Sequence, residues 1–299
     1  MSAKSKILIL GSSGFIGASL LQSLAKISDF QVKGFNSSTL DLSTPDSSRQ
    51  LGENVDRDTT VILLVRARKS SDPLESYDKD TVIAGNVARF LTKYPIKRLV
   101  FFSSISVYGE SATDLNISEK TEIAPSSHYA ISRFTTENLL RLAAEKMQTP
   151  LVVLRPCMVF GPGNVERAYG PDRFISSMVE KGHIEIFGDG SELRDFLFIG
   201  DLVNITKKFI FRDCSGTYNL GTSVSTSFSH IIENLQAITG KDFPVIKIKR
   251  VKPKIDQGVN ISRFMKFYPD FVFTPFKEGL KQTLDSHLNI TKQKTPGTL

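Results

Sequence analysis

Short apolar runs alternate with longer segments of helical period along the first half of the chain. Ile7–Leu10 is typical of a buried strand, and residues 14–27 carry apolar side chains at helical spacing. The same pattern predicts further strands at Gln31–Phe35, Thr60–Val65, Lys97–Ser103 and Pro150–Leu154, and helices at Asp46–Leu51, Asp78–Tyr94 and Ser127–Met147. Strands and helices alternating at this spacing predict a parallel sheet with crossover helices.

The pattern becomes less regular after Gly161-Pro162-Gly163. Shorter predicted elements follow, with helices at Arg173–Glu180, Leu202–Phe211 and Ser227–Thr239 and strands at Ile184–Phe187, Arg194–Phe198 and Tyr218–Gly221. Residues 281–299 are polar and contain Pro296-Gly297, which predicts a frayed tail. This change from long, regularly alternating elements to shorter ones predicts two parts of the chain with different internal organisation.

Composition narrows the class of protein. The chain has 299 residues, of which 40% are hydrophobic and 23% charged, as in a soluble globular protein. Its two cysteines are too few for a disulfide framework, so a reducing cytoplasm is expected. No apolar run reaches the roughly 20 residues of a membrane span. The net charge of +7 favours anionic partners, but no nucleic-acid-binding module is visible, so no nucleic-acid partner is predicted.

A glycine-rich turn joins the first predicted strand to the first helix. Gly11, Gly14 and Gly17 have the spacing G-x-x-G-x-x-G. Glycines let the backbone turn tightly and approach a pyrophosphate, which is stabilised by a helix N-terminus. A purely structural turn is the alternative. The strand–helix context favours a dinucleotide, with the candidate contacts Gly11, Ser13, Gly14, Phe15, Ile16 and Gly17.

Two further motifs carry candidate chemistry. Residues 102–109 follow a predicted strand and are rich in serine, and ligands bind at the carboxyl ends of parallel strands. Tyr129 and Arg133 are four residues apart on a predicted helix and therefore share a face. A fixed positive charge favours phenolate, which makes Tyr129 a candidate acid/base. The structural alternatives are serine caps and a surface tyrosine stacked on an arginine.

Together these motifs resemble the NAD-dependent epimerase/dehydratase family, which belongs to the extended short-chain dehydrogenase/reductases and acts on nucleotide sugars. The resemblance spans about residues 5–285. It includes Asp41-Leu42, residues 119–125, Arg155-Pro156, residues 159–162 and 188–190, Arg194-Asp195-Phe196 and Asp201-Leu202. It implies an α/β fold, with a Rossmann-type doubly wound parallel sheet and a smaller α/β C-terminal substrate domain. Residues 1–165 would form the dinucleotide-binding domain, with a strand near 216–222 returning to it, and residues 166–299 would be mainly substrate-binding.

The resemblance also implies roles for single residues. Tyr129 matches the catalytic acid/base, and Ser104 matches the catalytic hydroxyl that binds the reacting sugar oxygen. Arg133 takes the place of the third catalytic residue, and both Tyr129 and Arg133 are also candidate cofactor contacts. Asp41 and Leu42 match residues that contact the adenine. Arg194 matches an arginine that binds the substrate diphosphate, for which a surface ion pair with Asp195 or Glu192 is the alternative. No metal site is implied.

Three positions depart from the family pattern. Arg133 stands where the family has lysine, and an arginine cannot relay protons. Met158 replaces a frequent asparagine. Members that eliminate water carry an Asp-Glu pair directly after the catalytic hydroxyl residue, whereas this chain has Ile105 and Ser106 there. Neither side chain is a useful acid at neutral pH, so a sugar 4,6-dehydratase is not expected.

The cofactor type is indicated by the end of the second strand. NAD enzymes usually carry an acidic residue there, which binds the ribose 2′-hydroxyl. The tip is Asn36-Ser37-Ser38, without an acid and without a following arginine. Asn36 and Ser37 are therefore candidate cofactor contacts, and NAD or NADP is expected with a slight preference for NADP. The short link to Asp41 also resembles the NADP-using sugar ketoreductases of the family.

These observations predict an NAD(P)-dependent nucleotide-sugar epimerase or ketoreductase that transfers hydride at a sugar carbon, C4, of a nucleotide-diphosphate sugar. A strict NADPH-dependent ketoreductase is one alternative. A catalytically weak dinucleotide-binding sensor or subunit is another, suggested by Arg133. The expected partners are the nucleotide sugar and, as a candidate, a second copy of the chain in a homodimer, without a membrane.

Overall fold

Six strands build the central sheet of this protein, in the order β10-β6-β4-β3-β1-β2. The neighbours β2–β1, β1–β3, β3–β4 and β4–β6 are all parallel. The computed structural model describes residues 5–68, 70–110, 113–166, 170–251 and 253–294. The sheet strands are β1 (Ser5–Leu10), β2 (Phe30–Phe35), β3 (Thr59–Leu63), β4 (Arg98–Phe102), β6 (Leu151–Pro156) and β10 (Gly216–Leu220).

The chain divides into two units, each with its own core. The first comprises Met1–Glu110, Glu119–Pro156 and Val203–Asn219, and the second comprises Ser111–Ser118, Cys157–Leu202 and Leu220–Leu299. Helices that contribute to the first unit are α1 (Phe15–Leu24), α2 (Ser47–Gly52), α3 (Pro73–Leu91), α4 (His128–Met147) and α6 (Ile199–Phe211), with a short 3-10 helix at Ile105–Tyr108. The assignment of residues 1–165 and 166–299 to two functional domains stays a prediction.

Side-chain alternation along the strands explains why helices cover both faces of the sheet. One apolar cluster combines alternate residues of the central strands, such as Leu8, Leu10, Val61 and Leu63, with buried side chains of α2, α3 and α4. The intervening residues, such as Ile7, Ile9 and Ile62, are equally buried and must face the other side. The Rossmann-type α/β fold predicted from the sequence is confirmed.

Strand order locates the point where a ligand is expected. β1 lies between β2 and β3, so the connections leaving β1 and β2 run to opposite sides. In open α/β sheets, ligands bind outside the carboxyl ends of the strands at this switch point. Leu10 ends β1, Leu63 ends β3, and the amide of Leu64 donates to the carbonyl of Leu10 at 2.9 Å. The residues that follow Leu10 and Leu63 therefore lie together at this edge.

The second unit contains smaller sheets. β9 pairs in parallel with β7 and antiparallel with β11, whereas β8–β12 and β5–β13 are parallel pairs. The strands are β5 (Asp114–Ile117), β7 (Met158–Phe160), β8 (Ile184–Phe187), β9 (Leu193–Phe198), β11 (Ser225–Ser227), β12 (Val245–Ile248) and β13 (Gln257–Val259). The helices are α5 (Gly170–Lys181), α7 (Phe228–Thr239), α8 (Ser262–Met265) and α9 (Phe276–Lys294).

The predicted polar tail is wrong over most of its length. Residues 281–294 belong to α9, while residues 295–299 lie outside the described residues. Leu280, Thr283, Leu284 and His287 are buried at helical spacing, so one stripe of this polar helix packs into the second unit. The segment is polar on average, and an average does not show apolar positions that recur at helical spacing. Within the described residues, no helix is long and apolar enough to cross a membrane.

Candidate active site

The glycine-rich turn has the close packing that its spacing predicts. Gly11 adopts φ +93°, a left-handed conformation that L side chains rarely adopt. A Cβ atom at Gly17 would lie 2.1 Å from the carbonyl oxygen of Gly11, so any side chain there would collide with the turn. The amides of Gly11 and Ser12 both donate to the carbonyl of Phe35, at 2.8 and 2.9 Å. Gly11 and Gly17 thus hold the first turn of α1 against the end of β1.

Gly14 differs from its two neighbours in the motif. A Cβ atom there would meet only the Gly11 carbonyl oxygen, at an ordinary 3.5 Å. Gly14 is also the N-cap of α1 and provides no side-chain cap for the first amides of the helix. Ser13 and Gly14 are exposed, and Phe15 and Ile16 are half-buried. Uncapped amides beside open space fit an anionic pyrophosphate at this helix N-terminus.

The end of β2 is organised by its own side chains. Asn36 Oδ1 accepts from the amides of Ser38 and Thr39 at 3.0 and 3.2 Å, while Ser37 is exposed. Asp41 Oδ1 accepts from the Ser43 hydroxyl and amide, and these hydrogen bonds hold the pKa of Asp41 below its usual value. Among the candidate adenine contacts, Asp41 is exposed and Leu42 is buried in the apolar cluster of the first unit.

Ser104 caps the short helix that follows β4. Its Oγ accepts from the amide of Ser106 at 3.1 Å, which is the capping role that the sequence left open. A serine hydroxyl has one donor hydrogen and two acceptor lone pairs. The cap uses one lone pair, so the O–H of this half-buried residue can still donate to a ligand oxygen.

Tyr129 lies at the start of α4, and Arg133 follows one turn later. The guanidinium carbon of Arg133 lies 5.6 Å from the Tyr129 ring centroid, as expected for residues four apart on a helix. The tyrosine is 42% exposed and the arginine only 3%. Ser127 is the N-cap of α4, and its Oγ accepts from the amide of Ala130 at 3.2 Å. The cap therefore fixes the first turn, which carries Tyr129.

The partner of Arg133 is a residue that the sequence reasoning missed. Arg133 Nη2 forms a buried ion pair with Asp80 Oδ1 of α3 at 3.1 Å. Asp80 lies on the apolar face of α3, three, four and seven residues before the buried Ile83, Ala84 and Val87. An acidic residue in that register is the signal that could have identified it, because a buried carboxylate requires a partner.

A second buried network lies beside Ser104. Glu137 accepts from the Ser103 hydroxyl at 2.5 Å and from Arg155 at 2.9 and 2.5 Å. Arg155 also donates to the Tyr108 hydroxyl at 2.6 Å, which in turn donates to Asn219 at 2.8 Å. Burial raises the pKa of Tyr108, although the nearby Arg155 partly opposes that rise. These contacts hold the segment that carries Ser104 between β4 and α4.

Short contacts connect the glycine turn to the tyrosine–arginine pair. A Cβ atom built on Gly11 would lie 3.2 Å from the amide nitrogen of Val65, two residues after the end of β3. The carbonyl of the same Val65 accepts from Arg133 Nη1 at 3.2 Å. The turn, Val65 and Arg133 therefore meet at the carboxyl edge of the sheet. α4 also packs against the short helix that begins after Ser104.

Arg194 lies in the second unit, on β9. Its Nη2 forms an ion pair with Glu192 Oε1 at 2.6 Å, and its Nη1 donates to the carbonyls of Leu193 and Ile255. Glu192 also binds Arg250 through its other oxygen. Asp195, the other partner considered from the sequence, is buried and accepts from Thr222 and Ser223. The ion pair expected as the alternative for Arg194 is therefore present, and a second arginine shares its carboxylate.

Comparisons with known proteins identify the family of this chain. The model of the NAD dependent epimerase/dehydratase family matches residues 7–221. The UDP-glucose 4-epimerase of Vibrio cholerae is 32% identical over 222 residues, 67% of this chain and 64% of that protein. The GDP-6-deoxy-D-talose 4-dehydrogenase of Aggregatibacter actinomycetemcomitans is 28% identical over 239 residues, 78% of this chain and 80% of that protein.

A solved structure shows the same fold. The UDP-glucuronic acid 4-epimerase of Bacillus cereus, in complex with NAD, superposes with a TM-score of 0.83. The match covers 95% of this chain and 99% of that one at 24% identity. At that identity, the likeness bears on the fold.

Proposed function

This chain belongs to the NAD dependent epimerase/dehydratase family, and on that premise we propose that it oxidises and reduces one carbon, C4, of a nucleotide-diphosphate sugar. The observation that carries the proposal is the stacking of Tyr129 on the buried Arg133, which contacts Val65 beside the glycine turn. An acid/base group next to a dinucleotide-type turn suits reversible hydride transfer at an alcohol carbon.

The glycine turn would hold the pyrophosphate of a nicotinamide dinucleotide. Three observations support a dinucleotide at this site. There is open space at Gly14, and the first amides of α1 are uncapped. The buried Nε of Arg133 has no hydrogen-bond partner among the described residues. A bound nicotinamide would supply the acceptor and donor of hydride. Asn36 and Ser37 are the proposed contacts of the adenosine ribose, and Asp41 and Leu42 are the proposed contacts of the adenine.

Tyr129 would exchange the proton of the reacting hydroxyl. As phenolate it would accept the proton of the C4 hydroxyl while hydride leaves C4, and as phenol it would return the proton when hydride is added back. Tyr129 is 42% exposed, so a substrate can approach the residue. The O–H of Ser104 would donate to the same sugar oxygen, while its lone pair keeps the cap of the short helix.

Arg194 is the candidate contact for the diphosphate of the substrate. A planar guanidinium matches the geometry of phosphate oxygens. In the second unit this group is held by Glu192, which Arg250 also binds. Two arginines that share one carboxylate form a pre-assembled anion site, so we propose that Arg194 binds a substrate diphosphate in exchange for Glu192.

The same site argues against elimination of water. A 4,6-dehydratase needs an acid to protonate the leaving hydroxyl and a base to remove a carbon-bound proton. Ile105 and Ser106 hold the two positions after Ser104, and the Ser106 hydroxyl is buried. Glu110 is exposed beyond Tyr108 and Gly109. We therefore propose oxidation and reduction at one carbon without loss of water.

A net ketoreductase is the second candidate, because no carboxylate stands at residues 36–38 to bind a ribose 2′-hydroxyl. The similar Aggregatibacter protein is named as a 4-dehydrogenase. The structural neighbour of Bacillus cereus, however, is a complex with NAD, so the comparisons do not support the slight preference for NADP. A weak dinucleotide sensor is the remaining alternative and predicts binding without turnover.

One assay separates these candidates. The protein is incubated with UDP-, GDP- and dTDP-sugars, with NAD or NADPH, and the products are identified by NMR and mass spectrometry. An epimerase gives a C4 epimer without net consumption of dinucleotide, and a ketoreductase consumes NADPH in proportion to product. A product lighter by one water, formed catalytically, would contradict the exclusion of dehydration. Dinucleotide binding without any product would favour the sensor.

A variant of the glycine turn tests the cofactor site. Gly14→Val places a branched side chain in the space where a pyrophosphate would approach, and we expect at least about a 10-fold loss of dinucleotide affinity by calorimetry. Gly163→Ala is a matched control, because a Cβ atom there meets nothing within 4 Å, although its φ of +90° introduces some strain. Unchanged affinity in folded Gly14→Val would remove the turn from the site.

A further inference from the structure

Most of the net positive charge of this protein lies in one segment of the second unit. Residues 241–254 contain six basic residues and one acidic residue, a net charge of +5, whereas the whole chain has 38 basic and 31 acidic residues, a net charge of +7. The segment contains β12 and the residues on both sides of it. Within β12 and just after it, basic residues alternate with apolar ones, in the run Ile246-Lys247-Ile248-Lys249.

The pairing of β12 with β8 defines an outer face of this small sheet. The two strands are parallel, with Ile248 opposite Phe187. Because side chains alternate along a strand and paired residues project to the same side, Ile246, Ile248 and Phe187 share one face. The alternate residues of β8, Ile184 and Ile186, are 0% and 3% exposed and therefore belong to the inner face.

The outer face is apolar and exposed. Ile246 is 46% exposed, Phe187 is 44% exposed, and Val251, which follows β12 closely, is 95% exposed. The guanidinium carbon of Arg173 lies 5.0 Å from the Phe187 ring centroid, so a cation borders this face. Exposed apolar side chains that are grouped in this way mark a contact with another molecule or with a membrane.

Two lysines beside the outer face keep their charge unbalanced. Lys247 and Lys249 are exposed, and neither has a carboxylate partner among the described residues. Glu185 lies on the outer face, but its carboxylate is already bound by Lys181 and His183, each at 3.2 Å. The exposed apolar side chains and the flanking lysines are together called the β12 surface, which consists of Phe187, Ile246, Lys247, Ile248, Lys249 and Val251.

We propose that the β12 surface docks this protein on an anionic lipid membrane. The lysines match the negative charge of lipid headgroups, which attracts basic segments at short range. The apolar side chains suit the boundary between headgroups and acyl chains, where the apolar faces of peripheral proteins are buried. Long lysine side chains can reach the headgroups while the apolar residues enter this boundary. The inference goes beyond the proposed function and does not depend on it.

Other occupants fit the β12 surface less well. The phosphate backbone of a nucleic acid would satisfy the lysines but offers no apolar partner for Ile246 and Val251. A strand of another protein could pair with β12, but lysines on an edge strand discourage such pairing. The sequence-based expectation of no membrane partner rested on the lack of a spanning segment, and docking on a membrane surface requires none.

Docking would bring the proposed diphosphate site close to the membrane. Arg250 Nη2 donates to the carbonyl of Phe187 at 3.2 Å, and its Nη1 binds Glu192. Glu192 also binds Arg194, the candidate contact for the substrate diphosphate. The β12 surface and the arginine pair are therefore joined by direct contacts within the second unit.

Vesicle binding tests the proposal directly. The protein is sedimented, without dinucleotide or sugar nucleotide, with vesicles of phosphatidylcholine or with vesicles in which about one third of this lipid is replaced by phosphatidylglycerol. We expect binding to the anionic vesicles that weakens as salt is raised, and little binding to the neutral ones. No binding to the anionic vesicles would overturn the proposal and leave the lysines as protection of an edge strand. Equal binding to both kinds of vesicle would also overturn it.

Substitutions in the β12 surface separate charge from apolar contact. Lys247→Gln combined with Lys249→Gln removes two charges, and we expect the partition coefficient onto anionic vesicles to fall by about 30-fold. Ile246→Ser keeps the charges and removes apolar area, and we expect a loss of about 5-fold. Wild-type binding by the double lysine variant would contradict the proposal. Because these side chains are exposed, we expect each variant to unfold at the same urea concentration as wild type.

Matched control variants remove the same groups elsewhere. Lys26→Gln combined with Lys146→Gln removes two exposed charges from the first unit. Val272→Ser removes an apolar side chain that is 85% exposed in the second unit. All controls should bind the vesicles like wild type. An equal loss in the controls would mean that net charge or general hydrophobicity, and not the β12 surface, governs binding, which would overturn the proposal.

Two further measurements test the other occupants. Binding to a DNA duplex is measured for wild type and the same variants, and gel filtration gives the oligomeric state. Vesicle and DNA binding that both depend on the lysines, with Ile246→Ser like wild type in each, would indicate a surface for polyanions and overturn the proposal. A dimer that Ile246→Ser dissociates would assign the surface to a second copy and overturn it as well. Loss of vesicle binding in both β12 variants, at an unchanged oligomeric state, is the result expected for membrane docking.

Discussion

Two arginines of this protein have opposite surroundings. Arg133, in the first unit, is 3% exposed and faces a single buried carboxylate, Asp80. Arg194, in the second unit, shares the carboxylate of Glu192 with Arg250, and all three side chains keep between 12% and 19% of their surface exposed. The first arrangement is balanced, with one charge of each sign. The second has two guanidinium groups around one carboxylate, and the charge of Asp256 also acts on Arg194.

The difference in burial suits the two groups to different tasks. A buried pair is expensive to separate, because each charge would be left without solvent or partner. A partly exposed pair already contacts water and can exchange its carboxylate for another anion at lower cost. We therefore expect Arg133 to act as a fixed element beside Tyr129 and Arg194 to act as an exchangeable anion-binding element.

The largest effect is expected at the acid/base next to the fixed pair. Tyr129→Phe removes the hydroxyl and should lower kcat by about 100- to 10,000-fold, the usual contribution of general acid–base catalysis. Affinities for dinucleotide and sugar nucleotide should change little, because the ring remains stacked on Arg133. Steady-state kinetics with calorimetry on the same preparations checks both. A Tyr129→Phe enzyme with wild-type kcat would refute the assigned chemistry.

Removing Arg133 should weaken the fold as well as the site. Arg133→Ala leaves Asp80 buried without its counter-ion, and we expect the free energy of unfolding to fall by about 3–5 kcal/mol. Arg133→Lys keeps the charge and restores the residue of the family pattern, so we expect turnover at or above the wild-type level. Urea denaturation and kinetics measure the two effects. Equal stability of wild type and Arg133→Ala would show that the pair is not structurally important.

Arg194→Ala should affect binding of the substrate without affecting the fixed pair. A charge-assisted hydrogen bond contributes about 1.5–3 kcal/mol, so the affinity for a nucleoside diphosphate should fall by about 10- to 100-fold. Dinucleotide affinity should remain unchanged. Lys254→Ala is the matched control, since it removes an exposed positive charge that is paired with Asp256 in the same unit. The same loss in the control would indicate a general charge effect.

The smallest effect is expected at Glu192. Glu192→Gln preserves the shape of the side chain and removes the charge that competes with an incoming anion. We expect the affinity for free UDP to rise by about 5-fold, roughly 1 kcal/mol. Arg194→Ala should abolish this gain. An unchanged or weaker affinity in Glu192→Gln would mean that the two arginines serve only to hold Glu192 in the second unit.

Local sequence patterns were sufficient for the parts of the site that lie within one strand–turn–helix segment. The spacing of Gly11, Gly14 and Gly17 predicts the turn, because close packing at Gly17 and the positive φ of Gly11 require glycine. The four-residue separation of Tyr129 and Arg133 predicts their contact, because α-helix geometry alone places them on one face. The buried β-branched and leucine runs predict the central strands for the same local reason.

Only the tertiary structure decided which charges meet. Asp80 and Arg133 lie on different helices, and whether they touch depends on how α3 packs on α4. The link from Glu192 to Arg250 similarly joins residues separated by several elements of the second unit. Burial then determines what each contact can do, because the energy of an ion pair depends on the water that surrounds it. The sequence by itself determined the sheet, the glycine turn and the tyrosine–arginine pair, whereas the partners that hold the arginines emerge only when distant segments pack and exclude solvent.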